Sequence, residues 1–127
     1  MGKKNDTDSR TTATMEALAH PDIAKVIDIF KSKDITFTTQ VCFIGQESNQ
    51  EKQILYGLLT QGIKTIKGRD ITVQEKSPSE IANWSLIKLR SMISLGTLVT
   101  FKNGKYVNDH KQVLESVYRF QNFDQKN

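Results

Sequence analysis

Two stretches of the chain carry polar and basic side chains at spacings suited to nucleic acid. After Ser48, the residues Asn49, Gln50, Gln53 and Thr60 fall on the side of a helix opposite Leu55 and Leu58, with Lys52 and Tyr56 toward its flanks. Asn and Gln can pair bidentately with adenine, and Lys can reach guanine or phosphate. The second stretch begins at Ser85 and turns Ile87, Lys88, Arg90 and Ser91 outward, with Trp84 read as a packing residue beneath the preceding turn. Each stretch leads to a basic turn, Lys67 and Arg69 around Gly68 in one case, Lys102 and Lys105 around Asn103-Gly104 in the other. A solvated helix face or a solubilising turn would carry the same residue types. A basic turn after each candidate reading helix favours phosphate contact over that blander reading.

Catalytic and metal-binding patterns are poor by comparison. His20 and His110 are far apart and belong to no metal-ligand spacing, and Cys42, the one cysteine, has no local partner for a nucleophile or a zinc site. Flanked by Val41 and Phe43, Cys42 reads as a small buried hydrophobe in a reducing cytoplasm. Gly45, Gly57, Gly62 and Gly68 do not form a phosphate-binding loop followed by Lys-Ser or Lys-Thr. The expectation is a protein that is not an enzyme and uses no cofactor or metal.

The elements that must position these residues follow from the apolar pattern. The 127 residues are 37% hydrophobic and 25% charged, enough for one core, and 18 Lys and Arg against 14 Asp and Glu give a net charge of +4. That excess permits a polyanionic partner without requiring one. No stretch approaches the roughly 20 apolar residues of a membrane span, and a cytoplasmic protein is expected. Residues 1–11 read as a flexible tail, and Ala13 to Ala19 as a short helical turn. Pro21 to Lys31 then reads as a helix with Ile23, Val26, Ile27 and Phe30 inward and His20 at its opening.

From Thr38 or Thr39 as a cap, the pattern predicts a short helix through Val41, Phe43 and Ile44, a break at Gly45, and a second helix from Ser48 that stops at Gly62. Ile63 to Gln74 alternates around Lys67-Gly68-Arg69-Asp70 and predicts a hairpin. The order then returns. Ser77 and Pro78 open a short helix, a turn near Asn83 leads to a helix burying Leu86, Leu89, Met92 and Ile93, Gly96 ends it, and Asn103-Gly104 predicts a type I′ hairpin. Shifted so that Leu55 falls on Leu89, the chain also aligns Leu58 with Met92, Leu59 with Ile93 and Gly62 with Gly96. A last helix puts Val113, Leu114, Val117 and Phe120 on one stripe.

The fold expected is therefore α+β: two winged helix-turn-helix-like units, residues 12–75 and 76–127, fused as an internal pseudo-dimer with antiparallel β-hairpins and flanking N- and C-terminal helices. Such a protein would act as a monomer that is its own dimer. Its reading helices would carry Asn49, Gln50, Lys52, Gln53 and Tyr56 in the first unit and Ser85, Lys88, Arg90 and Ser91 in the second. Its wings would carry Lys67, Arg69, Lys102 and Lys105.

On "FTTQVCFIGQESNQEKQILYGLLTQG" and "SPSEIANWSLIKLRSMISLG", each followed by its expected hairpin, the chain resembles the small cytosolic TraN-type proteins encoded in the transfer operons of Gram-positive conjugative plasmids. The resemblance covers roughly Pro21 to Phe120. It implies an internally dimeric helix-turn-helix protein that binds double-stranded DNA and regulates or assists conjugative, type IV secretion-linked transfer, with other transfer proteins as further partners. The competing expectation is a non-enzymatic adaptor of a secretion or replication complex that keeps the winged-helix shape without DNA affinity.

Overall fold

The computed structural model describes residues 20–126, with side chains through residue 119, so the expected tail and the turn from Ala13 to Ala19 lie outside the described residues. Helix α1 spans Pro21–Ser32. The Nδ1 atom of His20 accepts the N–H groups of Asp22 at 3.3 Å and Ile23 at 3.4 Å, satisfying two donors that a helix leaves open at its start. Pro21 loses nothing there, and Ile23, Val26, Ile27 and Phe30 form the buried stripe that the sequence predicts.

Thr38–Phe43 is strand β1 rather than the expected capped helix. Val41 and Phe43 enter one core while Cys42 enters another, so the strand is covered on both faces. A strand of that kind loses its polar alternation and reads as an unbroken apolar run. Helix α2, Asn49–Lys67, begins where expected, with Ser48 Oγ accepting the Glu51 N–H at 3.2 Å. It does not stop at Gly62, which is buried inside it. Ile63 and Ile66 continue the stripe of Leu55 and Leu59 onto the same core, and the helix ends at Gly68, φ 70°, whose N–H reaches Lys64 O at 2.7 Å.

Lys67 to Asp70 is consequently a helix end, and the hairpin expected there is absent. Strand β2, Thr72–Lys76, pairs in parallel with β1, Thr38 opposite Thr72 and Cys42 opposite Lys76. The second half follows the sequence closely. Helix α3, Pro78–Ile81, is capped by Ser77, helix α4, Leu86–Leu95, is capped by Ser85, and Gly96 ends α4 at φ 78°. Strands β3, Leu98–Lys102, and β4, Lys105–Tyr106, form the antiparallel hairpin, with Asn103 at φ 54° and Gly104 at φ 77° as its two-residue turn. Helix α5, His110–Lys126, opens on Asp109, whose Oδ1 accepts from Lys111 N at 3.0 Å and Gln112 N at 3.3 Å.

The described residues form an α+β arrangement of five helices and one four-stranded sheet in the order β2-β1-β3-β4, with β1 parallel to both of its neighbours. Helices α1 and α2 cover one face, burying Phe30, Leu59 and Ile63 against Val41, Val99 and Phe101. Helices α3, α4 and α5 cover the other, where Ile81, Leu89, Ile93 and Val113 meet Cys42 and Leu98. Each large side chain fully removed from water contributes about 1.5–3 kcal/mol. Because β1 bonds to β2 on one side and β3 on the other, the sheet joins the segments before and after residue 75. The helix-turn-helix followed by a hairpin occurs once among the described residues, from Ser77 to Tyr106.

Candidate nucleic-acid interface

The unit that keeps the expected order is α3, its turn, α4 and the hairpin. Ala82 N–H bonds to Pro78 O at 2.8 Å and Trp84 N–H to Ile81 O at 2.9 Å, which closes α3 tightly and turns the chain into α4. Leu89 and Ile93 point into the core, so the opposite face presents Ile87, Lys88, Arg90 and Ser91 to solvent. Ile87 is 82% exposed. Lys88 Nζ sits 4.2 Å from the Trp84 ring centroid, so the half-buried indole both packs beneath the turn and steers the ammonium. Ser85 spends its oxygen on the cap, accepting Lys88 N–H at 3.2 Å, which makes it a positioning residue for the helix start.

The helix starts differ in charge. At α2 and α3 the serine cap is followed three residues later by Glu51 and Glu80, the reciprocal acid that complements the positive end of the helix dipole. At α4 that place belongs to Lys88, and its first turn holds no acid. The dipole and the ammonium therefore add, and together they favour a phosphate. Lys88, Arg90, Lys102 and Lys105 have no ion-pair partner among the described residues.

The hairpin turn is anchored. Glu47, 8% exposed, accepts the Asn103 N–H through Oε1. A Cβ on Gly45 would lie 2.7 Å from Asn103 Oδ1 and 2.9 Å from its N, so the loop between β1 and α2 fits the turn only with glycine there. Lys102 and Lys105, both exposed, flank a turn fixed to the centre of the sheet. Glu47 has no sequence signal as a latch, because its partner lies in a distant hairpin.

The first-half residues are arranged otherwise. Asn49, Gln50 and Gln53 are exposed on α2, and Gln50 lines an open cleft of about 360 Å³ with His20, Glu51, Ile54 and Leu58. Lys52 and Tyr56 turn toward the sheet. Lys52 Nζ bonds Glu75 Oε1 at 2.7 Å and sits 5.5 Å from the Phe43 ring, while the Tyr56 ring packs at 5.8 Å from Phe43. Burial, and secondarily Glu75, pushes the Tyr56 hydroxyl up to about 12. Neither side chain belongs to an outward reading face.

Lys67 and Arg69 are not on a wing. Lys67 Nζ donates to Lys33 O at 3.4 Å and Arg69 stacks at 4.0 Å over the half-exposed Phe37 ring, a contact with no local signal in the sequence. Lys64 bonds Asp70 at 2.8 Å, and that hydrogen bond holds the exposed carboxyl below its ordinary range. Arg69 precedes the first residue of β2, whereas Lys102 is the last residue of β3. Because β2, β1 and β3 run parallel, these are opposite ends of the strands, separated by more than a strand length of about 16 Å. The four proposed wing residues therefore form two sites at opposite ends of the sheet.

No group of three or more His, Cys, Asp or Glu suited to a metal occurs among the described residues, and none of their helices is long and apolar enough to cross a membrane. Cys42 is buried, and its thiol is pushed up to about 12, by burial first and then by Glu47 and Glu80. Compared with protein-family models, curated proteins and solved structures, the chain matches none.

Proposed function

We propose that the chain binds double-stranded DNA through one winged helix-turn-helix-like unit per molecule, formed by α3, α4 and the β3–β4 hairpin. The observation that carries this reading is that Lys88 and Arg90 on the outward face of α4, and Lys102 and Lys105 on the hairpin of the same unit, have no ion-pair partner among the described residues. Lys88, Arg90 and Ser91 take the groove, with Ile87 available to a thymine methyl, and Lys102 and Lys105 take phosphates. The internal pseudo-dimer of the sequence reading narrows to this single unit. The resemblance to TraN-type proteins supports a regulatory or accessory role in conjugative transfer, with no catalytic step and a cytoplasmic site of action.

Retardation of duplex DNA over a range of salt concentrations tests it. Replacing Lys102 or Lys105 by Ala should weaken all duplexes alike and lower the log-log salt slope by about one. Replacing Arg90 should cost about 1–3 kcal/mol, mainly on the preferred sequence. Lys67→Ala and Arg69→Ala, at the far end of the sheet, should leave both quantities unchanged. The competing reading is an adaptor that keeps the helix-turn-helix shape without DNA affinity. Absence of retardation even at low salt would select the adaptor.

A further inference from the structure

Strand β2 ends the sheet, and no described residue pairs with its outer edge. Thr72 N–H donates to Phe37 O at 2.9 Å, so Thr72, Gln74 and Lys76 turn their backbone groups toward β1. By alternation, the N–H and C=O groups of Val73 and Glu75 face outward. Exposed edges of this kind are ordinarily guarded by a proline, a bulge, a very short strand or charged side chains. The strand TVQEK has no proline and a continuous register, and both of its charges are neutralised within the chain: Glu75 by Lys52 at 2.7 Å, Lys76 by Glu80 at 3.8 Å.

We propose that the occupant of this edge is a second copy of the chain, β2 pairing antiparallel with β2 of the copy about a two-fold axis at Gln74. The register follows from parity. An antiparallel strand of five residues overlaps itself completely only when its middle residue faces its own copy. Centred on Gln74, the outward groups of Val73 meet those of Glu75 in the copy and the ladder closes on both sides. Centred on Glu75, two carboxylates would stand opposed, which is unfavourable. Gln74 side chains then meet at a non-hydrogen-bonded pair, with Cα atoms about 4.5 Å apart. Gln74 Oε1 already accepts from Gln40 Nε2 at 3.2 Å, which leaves the Gln74 amide N–H groups to donate across the axis and build a four-glutamine ladder. The pairing does not depend on the DNA reading.

Sedimentation equilibrium of the full chain tests it. The wild type should pass from monomer to dimer as its concentration rises. Val73→Pro removes an outward donor and no bond to β1, so it should abolish the dimer while the circular dichroism spectrum stays the same. Gln74→Lys and Gln74→Glu, at an exposed position, should each weaken the dimer about tenfold by opposing like charges, and an equimolar mixture of the two should restore it. A wild type that is monomeric at every concentration overturns the proposal, as would be expected if the edge serves a foreign strand. So does a dimer whose dissociation constant is unmoved by the Gln74 substitutions, or a Lys–Glu mixture no tighter than either variant alone.

Discussion

Replacing glycine by alanine at three positions should give three different outcomes, each set by local geometry. Gly57 lies inside α2, exposed, with nothing within 4 Å of the place a Cβ would take, so alanine should stabilise by about 0.5–1 kcal/mol through helix propensity. Gly68 ends α2 at φ 70° in open space, and there alanine should cost about 1–2 kcal/mol, the left-handed backbone alone. Gly96 ends α4 at φ 78°, and a Cβ there would collide with Ile29 Cγ2 and stand 3.0 Å from Ile35 Cδ1. Two terms add, about 1–2 kcal/mol for the backbone and about 1–3 kcal/mol for overpacking, a loss of about 2–5 kcal/mol. With a urea slope of about 1.5 kcal/mol/M, the midpoints should move up by about 0.5 M, down by about 1 M and down by about 1.3–3 M respectively. Ile29→Ala in the Gly96→Ala background should recover part of the steric loss, which a double-mutant cycle reads directly. If Gly96→Ala costs no more than Gly68→Ala, α1 does not pack against the corner between α4 and β3 as described, and the placement of that helix is wrong.

Other outcomes follow from single contacts. Glu47→Ala should cost about 1–3 kcal/mol by stranding the Asn103 N–H, and Glu47→Gln, which keeps an acceptor, should cost less; chemical denaturation separates them. Ser48→Ala and Ser85→Ala should each cost about 1 kcal/mol through loss of a cap, with Ser85→Ala also weakening duplex binding because Lys88 loses its fixed helix start. Cys42 ionises near 9.0 when unfolded but near 12 when folded, so the unfolded state releases its proton first. Its contribution to stability is therefore complete below pH 9 and lost between pH 9 and 12. Tyr56, raised from 10.0 to about 12, adds a fall of the same sign, so Cys42→Ala should flatten the alkaline decline of urea midpoints without abolishing it.

What the sequence discloses and what it conceals divide along the range of the interactions. Serine caps at Ser48 and Ser77, Pro21 and Pro78 in first turns, and Asn103-Gly104 at the hairpin act within a few residues, and each stands where its pattern places it. The central strand does not act locally. Its run from Thr39 to Ile44 reads as a buried helix until β2 and β3 are known to flank it, and nothing near it in the chain announces a parallel partner more than thirty residues away. The repeat misled for a related reason. Leu55 and Leu89, and Leu59 and Ile93, are buried alike because any amphipathic helix buries such a stripe, whereas Gly62 is enclosed mid-helix and Gly96 ends one. Among the proposed contacts, Lys88 and Arg90 are legible as outward residues of a short helix, but Lys52 and Tyr56 are diverted by Glu75 and Phe43, partners that only the sheet supplies.

With one unit per chain in place of an internal repeat, the proposed DNA binding implies a different target. Two unlike units within one chain would read unequal half-sites, and protection mapping would give an asymmetric pair of footprints. If one unit per chain binds DNA and β2 joins it to a copy, as proposed, two identical α4 helices are related by a two-fold axis, and a two-fold protein selects a palindromic target. The half-sites should then be equal, and the Gln74→Lys chain should bind the full site less tightly while binding an isolated half-site as the wild type does. Full-site and half-site affinities lowered together would place Gln74 in the DNA contact itself. An asymmetric footprint that survives Gln74→Lys would return the argument to two different reading heads on a single chain, one of them on the exposed Asn49, Gln50 and Gln53 face of α2.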